Sequence, residues 1–266
     1  MPRVRVNGVD LYFEEQGEGV PVLGIHGTPS SALAWVAAAR ELAKHGRSII
    51  YDRRGFFRSA PATPFTSLDL LEHVDDAAAL LAALHAGPAV VIGRSTGGQI
   101  ALELARHFPD KVKGLVLLEP ALFTIDPKAN AWAADLRKRV LRRAAENPAA
   151  AAEALLRDIL GDDVWESLPD KLKGMFLDTG PALLAEMKGR GLDLSQEPAT
   201  WTEAELAAIS CPALIVSGED SLEACRLVNV RLAAALPQAE AVLVRGGHLI
   251  DPSHPDVLSF IDRISA

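Results

Sequence analysis

Short apolar runs and longer amphipathic stretches alternate along the chain. "VRVNG" and "VDLYFEEQG" read as two strands joined at Asn7-Gly8, because that dipeptide tolerates the positive φ angles a tight hairpin turn demands. "PVLGIHG" is an apolar run ending in glycine. "SALAWVAAARELAKHG" has helical spacing and a glycine stop, "SIIYD" is a short strand, and "SLDLLEHVDDAAALLAALHAG" predicts a helix opened by Ser67 and closed by Gly87. "AVVIG", the helix "GGQIALELARHFP" and "VKGLVLLEP" follow. Runs apolar on both faces, separated by helices, are what a parallel sheet covered on two sides requires.

The pattern changes after Pro120. From residue 122 to 208 the chain shows helices with no intervening strand. Asp126-Pro127, Asn147-Pro148 and Gly180-Pro181 each put proline at a first helical position, behind a capping-type residue in the first two cases. Three to five helices fit this length, and we expect them to form a lid. Strand and helix then alternate again through "CPALIVSGED", "SLEACRLVNVRLAAALP", "AEAVLVRGGH" and "HPDVLSFIDRI". The expected organisation is one α/β core, residues 1–121 and 209–266, carrying the 122–208 insertion.

With 266 residues, 49% of them apolar, the chain is long enough for one large core with an inserted subdomain. A formal net charge of −8 supplies no overall basic field, which argues against nucleic acid and anionic membrane surfaces as partners. The opening residues carry charge throughout and no later segment has the apolar length of a membrane span, so a cytoplasmic protein is expected. Cys211 and Cys225 lack metal-ligand spacing and read as small buried hydrophobes.

The stretch "AVVIGRSTGGQIALELA" carries the chemistry. Its "GRSTG" matches G-x-S-x-G where that pattern belongs, after a strand and at the start of a helix. A serine hydroxyl is a poor nucleophile at neutral pH and needs a base that can reach it, and a sharp strand-to-helix turn presents Ser95 for that purpose. The helix N-terminus adds unpaired N–H groups where negative charge would develop. An ordinary glycine-rich turn with a capping serine would read the same over five residues, but two other stretches weigh against it. "GIHGTPSS" ends an earlier strand; if that strand lies beside the one leading to Ser95, the main-chain N–H groups of Thr28 and Thr96 can converge on one oxygen as an oxyanion hole. "VLVRGGHLIDPSHP" places His248 after a strand and two glycines, with the side chain best suited to act as base and then acid near neutral pH. His26 precedes the nucleophile in chain order and reads as a packing or loop-bracing residue. His45, His73, His85, His107 and His254 read as solvated or packed surface histidines.

On these residues the chain resembles the α/β-hydrolase-fold enzymes that carry a helical lid. The resemblance runs through "HGTPSS", "DRRGFFRS", "GRSTGG", "LVLLEP", "CPALIVSGED" and "GGH" in the family's order. It implies a mostly parallel eight-stranded sheet with helices on both faces. Phe57 stands where the family loop usually has a second glycine, and Arg94 replaces the common histidine before the nucleophile. Asp52 and Arg54 are expected to brace that loop, and Phe56 and Phe57 to form pocket wall. The acid is the main departure: the commoner family position falls on Ser221, which cannot hold an imidazolium. Glu119, at the end of the strand after the nucleophile's helix, is the expected acid, as in a minority of members that includes the zearalenone-lactone hydrolases. Asp220 is the alternative.

A serine nucleophile points to acyl transfer from an ester or lactone to water, with no metal or organic cofactor and a small molecule as the only partner. A cofactor-free perhydrolase or lyase, or a slow ligand receptor on the same fold, would carry the same residues. Trp132, Trp165, Met175 and Phe176 of the lid are candidate substrate contacts, although helix cores use the same residue types. Nothing in the sequence sets the oligomeric state.

Overall fold

In the computed structural model, which describes residues 2–266, the apolar runs form eight strands. These are β1 (Arg3–Val6), β2 (Val9–Gln16), β3 (Pro21–Ile25), β4 (Arg47–Tyr51), β5 (Ala89–Arg94), β6 (Val112–Leu118), β7 (Ala213–Gly218) and β8 (Ala239–Val244). Their order in the sheet is β1-β2-β4-β3-β5-β6-β7-β8. β2 runs antiparallel to β1 and β4, and the remaining pairs are parallel. The first hairpin turns at Asn7 and Gly8, both at positive φ (45° and 78°).

The order reverses at β3. The chain leaves β3 toward β4 and then returns past β3 to reach β5, and right-handed crossovers in opposite directions put their helices on opposite faces. α1 (Val36–Leu42) therefore covers one face, where α11 (Pro255–Ser265) joins it over Val22, Val90, Ile92, Val116 and Val216. α2 (Leu70–Ala83), α3 (Thr96–His107) and α10 (Glu223–Ala235) cover the other, over Leu23, Ile25, Val91, Leu115 and Ile215. Side chains alternate between faces along each strand and both faces are buried, which explains why the runs read as continuously apolar. The crevice above such a reversal is where open α/β sheets bind ligands. It lies here between the ends of β3 and β5.

α2 departs from the sequence reading at its start. Asp69, not Ser67, caps it, because Asp69 and Glu72 hydrogen-bond each other's main chain as a capping box. It ends at Ala83, short of Gly87, with His85 taking the left-handed conformation (φ 49°).

The insertion contains α4 (Pro127–Ala144), α5 (Pro148–Leu160), α6 (Asp162–Ser167), α7 (Asp170–Asp178), α8 (Gly180–Lys188) and the short α9 (Glu203–Ala207). Asp126 and Asn147 cap α4 and α5 by accepting main-chain N–H bonds at their first turns. The segment is not strand-free: Arg190–Gly191 and Glu197–Pro198 form a short parallel pair. Its helices pack on the sheet core through Leu136, Val140, Leu155, Leu183 and Met187, and form a smaller cluster of their own around Trp165. Among the described residues, no helix is long and apolar enough to cross a membrane.

Candidate active site

Ser95 stands at the turn from β5 into α3 with φ 55° and ψ −124°, a conformation that non-glycine residues adopt at a cost. The turn closes only because its neighbours lack side chains. A Cβ on Gly93 would lie 2.2 Å from the Gly97 carbonyl oxygen, and one on Gly97 would lie 2.1 Å from that of Ile25. The main-chain N–H of Thr96, first in its helix, has no intrahelical acceptor. The N–H of Thr28 makes no main-chain hydrogen bond among the described residues. Both residues line the cavity beside Ser95.

Glu119 follows β6 at the next strand end, also at positive φ (48°), and is buried. Its Oε1 accepts the Gly218 N–H at 2.9 Å, and its Oε2 lies 2.7 Å from His248 Nδ1. Burial alone would raise its pKa. The hydrogen bond and charge of His248, with help from Ser221 and Gly218, outweigh burial and hold the carboxyl below the usual range. Asp220 is exposed, and its main-chain N–H donates to the Gly246 carbonyl. His248 reaches the site on the loop after β8, which Arg94 braces by donating to the Ile250 carbonyl at 3.3 Å. With Nδ1 engaged, Nε2 is the nitrogen left for proton transfer.

Cys225 Sγ lies 4.0 Å from His248 Nδ1, so Glu119, Cys225 and His248 offer ligand atoms within 4.8 Å of one another. The donor set is a poor one for a metal. The carboxylate already engages the imidazole, and burial, then the Glu119 charge, push the thiol pKa well up, away from the thiolate a metal needs.

The space beside Ser95 and His248, counted together with the solvent it opens to, amounts to about 450 Å³. Its apolar wall includes Phe123, Trp132, Leu136, Leu155, Leu183 and Met187. Trp132 packs edge-on against Phe123, with ring centroids 5.1 Å apart. Phe176 lines a second, more open hollow that also touches Thr28, Ser95 and His248. The remaining aromatic expectations fall elsewhere. Phe56 is fully buried under the loop, edge-on to His26 at 5.2 Å and beneath the Arg53 guanidinium, so it is not pocket wall. Phe57, Trp165 and Met175 pack into the insertion's own cluster and do not line the cavity. The bracing roles of the loop are visible: Asp52 accepts from the Ala32 N–H and from Arg58, and Arg54 grips Asp76 through two nitrogens.

Sequence reasoning passed over a buried polar cluster behind the oxyanion side. Arg53 Nη1 donates to Glu186 Oε1 at 2.6 Å, Thr28 Oγ1 donates to Glu186 Oε2 at 2.6 Å, and His73 Nε2 lies 3.0 Å from Glu186 Oε1. His73 is thus buried rather than at the surface. His26 supports the same loop, taking the Arg53 N–H at Nε2 (3.0 Å) and facing the Gly27 carbonyl through Nδ1 (2.7 Å). Burial would raise the Glu186 pKa, but the Arg53 charge and the bonds from His73 and Thr28 hold it down to about 2. This depressed carboxyl stabilises the fold fully above the range where an unfolded glutamate titrates, near pH ~4.3, and loses that contribution as pH falls toward its folded value. Glu186→Ala, which strands the Arg53 charge, is expected to cost about 3–5 kcal/mol in urea unfolding at neutral pH. An unchanged midpoint would mean that the cluster does not hold insertion to core.

Comparison with known proteins agrees with this architecture. The α/β hydrolase fold family matches residues 20–255. A pimeloyl-[acyl-carrier protein] methyl ester esterase of Nitrosospira multiformis is 25% identical over 97% of this chain and 96% of its own. The structure of a thermophilic esterase from Thermogutta terrifontis superposes with a TM-score of 0.81, at 26% identity over 100% of both chains. That of Est816, described as an N-acyl homoserine lactone degrading enzyme, gives a TM-score of 0.72 at 26% identity, over 99% of this chain and 98% of its own. A mostly parallel eight-stranded sheet, helices on both faces and a family match across most of the chain leave one conclusion: the protein belongs to the α/β hydrolase fold family.

Proposed function

We propose that the protein hydrolyses a carboxylic ester or lactone through an acyl-enzyme intermediate. The observation that carries this reading is the buried Glu119–His248 pair, 2.7 Å apart, opening on the same cavity as Ser95 at the glycine-framed turn. In the first half-reaction His248 Nε2 takes the Ser95 proton as Oγ attacks the carbonyl carbon. The Thr28 and Thr96 N–H groups stabilise the resulting oxyanion, and His248 returns the proton to the departing alcohol oxygen. Water then attacks the acyl-enzyme with His248 again as base, releasing the acid and restoring Ser95. Glu119 stays ionised throughout, fixing the imidazole tautomer and stabilising the imidazolium. The helical insertion acts as the lid, supplying Trp132, Leu136, Leu155 and Met187 to the cavity and keeping bulk water from the acyl chain. The similarity to esterases and to a lactone-degrading enzyme supports this substrate class.

Short and medium p-nitrophenyl esters and simple lactones, with Ser95→Ala as the blank, test the reading. Turnover at ~1 s⁻¹ or faster on at least one substrate is expected. Rates indistinguishable from the blank across both series would remove it.

A further inference from the structure

The cavity wall is mostly apolar; besides Ser95 and His248, its polar lining is Thr28, Thr96, Glu186, Asp193 and Ser195. Glu186 is fully engaged by Arg53 and Thr28, but the last two residues are not so accounted for. Asp193 Oδ1 accepts the Thr96 hydroxyl at 3.1 Å, and no protein hydrogen bond reaches its other oxygen among the described residues. Ser195 is 3% exposed, and its hydroxyl has no hydrogen-bond partner among the described residues. Among the described residues, no lysine or arginine lines this cavity.

A structural role for the Asp193 side chain would be to pin its segment to α3. That task is already done by the main chain: Gln99 Oε1 accepts the Asp193 N–H at 3.1 Å, and Gln99 Nε2 donates to the Gly191 carbonyl at 2.8 Å. Any residue but proline at 193 would keep both bonds. The carboxyl also carries a cost. Burial first, then the Glu186 charge, push its pKa up to about 7, with Thr96, the residue's own main-chain N–H and Arg53 only partly opposing, while the nearby Cys225 thiol adds no charge. Costly, underused polar groups beside a reacting serine are the signature of ligand recognition rather than folding.

We infer that Asp193 and Ser195 form a recognition subsite for a hydrogen-bond donor, an N–H or O–H, carried at the α or β position of an otherwise apolar and uncharged acyl group. The position follows from Thr96, which bonds the Asp193 carboxyl through its side chain while its main-chain N–H faces the scissile carbonyl oxygen in the proposed mechanism. The absence of a lining cation, together with two carboxylates in the wall, disfavours an anionic group in this cavity. The inference rests on the ester and lactone reading above.

The test compares kcat/KM for methyl octanoate, methyl β-hydroxyoctanoate and methyl β-methoxyoctanoate, and for N-octanoyl-α-amino-γ-butyrolactone against its N-methyl derivative. The wild type is expected to favour a donor-bearing substrate over its blocked partner by at least about tenfold in one series, and Asp193→Ala to bring that ratio to near one. Stability supplies the second readout. A carboxyl with a raised folded pKa loses stability as pH rises from an unfolded value near ~3.9 through about 7, a cost that asparagine escapes. Asp193→Asn should therefore gain more in Tm over the wild type at about pH 8.5 than at about pH 5. Turnover of methyl octanoate without any donor preference, or a preference that survives in Asp193→Ala, overturns this inference alone. Equal destabilisation of Asp193→Asn at both pH values assigns the residue to structure and also overturns it. No turnover of any substrate removes the hydrolase reading, and this inference falls with it.

Discussion

Ser95→Ala is expected to lower kcat on every accepted ester by at least ~10³-fold, with little further loss when His248→Ala is added. The non-additivity is the sharper part of the expectation. Once the nucleophile is gone the imidazole has no proton to take, so its removal subtracts only what it contributes to the uncatalysed attack of water. The backbone should tolerate the change. Alanine keeps the Cβ of serine, so the positive φ of 55° at residue 95 is no more strained than before, and the turn is held by Gly93 and Gly97 rather than by the hydroxyl. The main-chain N–H groups of Thr28 and Thr96, which we propose as oxyanion donors, also survive. A Ser95→Ala protein that folds normally, binds substrate and still turns over at the wild-type rate would end the covalent mechanism. If the two single losses simply multiplied in the double variant, Ser95 and His248 would be acting on different steps.

How much of this could be read in advance depends on the range of the forces involved. The sheet strands, the Ser95 turn and the Asp126 and Asn147 caps follow from signals local to a few residues: short continuous apolar runs, obligatory glycines, and side chains that bond the adjacent main chain. That Glu119 would be buried against a partner was also legible, because a carboxylate at the end of so apolar a strand as "VLLE" is too costly to bury alone. The start of α2 was misread by two residues because Ser67 and Asp69 are both competent caps, and only the reciprocal bond from Glu72 selects between them.

Direction was harder than element type. Trp132 and Trp165 occupy similar helical contexts, yet one lines the cavity and the other fills the small core beneath Phe176, a difference set by how α4 to α7 cross one another. Phe56 was lost to the pocket because Arg53 and His26 hold its ring inward. The Arg53–Glu186 pair joins a core loop to an insertion helix across 133 residues of chain, and Asp193 reaches Thr96 across 97. No window of sequence contains either relation.

Glu119→Gln is expected to cost about 10³–10⁴-fold in kcat at neutral pH, while Asp220→Asn leaves turnover within about twofold of the wild type. Both glutamate oxygens are used as acceptors: Oε1 for the Gly218 N–H and Oε2 for His248. A glutamine offers one oxygen and one NH₂. If the oxygen keeps Gly218, the NH₂ faces Nδ1, which must then be unprotonated, so the proton moves to Nε2 and the nitrogen that should accept from Ser95 no longer can. If the oxygen keeps His248, the NH₂ meets the Gly218 N–H, donor against donor in a buried place, and the imidazolium formed during attack still lacks its counter-charge. Either arrangement removes the base or leaves its charged form unsupported. Asp220 offers no such dilemma, since its side chain is exposed and hydrogen-bonds nothing among the described residues. Because the carboxyl of Glu119 is held below the ordinary range, it stays ionised through the acid limb of the rate profile, and the loss in Glu119→Gln should not be recovered by lowering the pH. Near-normal turnover in Glu119→Gln with a crippled Asp220→Asn would transfer the role, and would require the loop after β7 to move toward His248 when substrate binds.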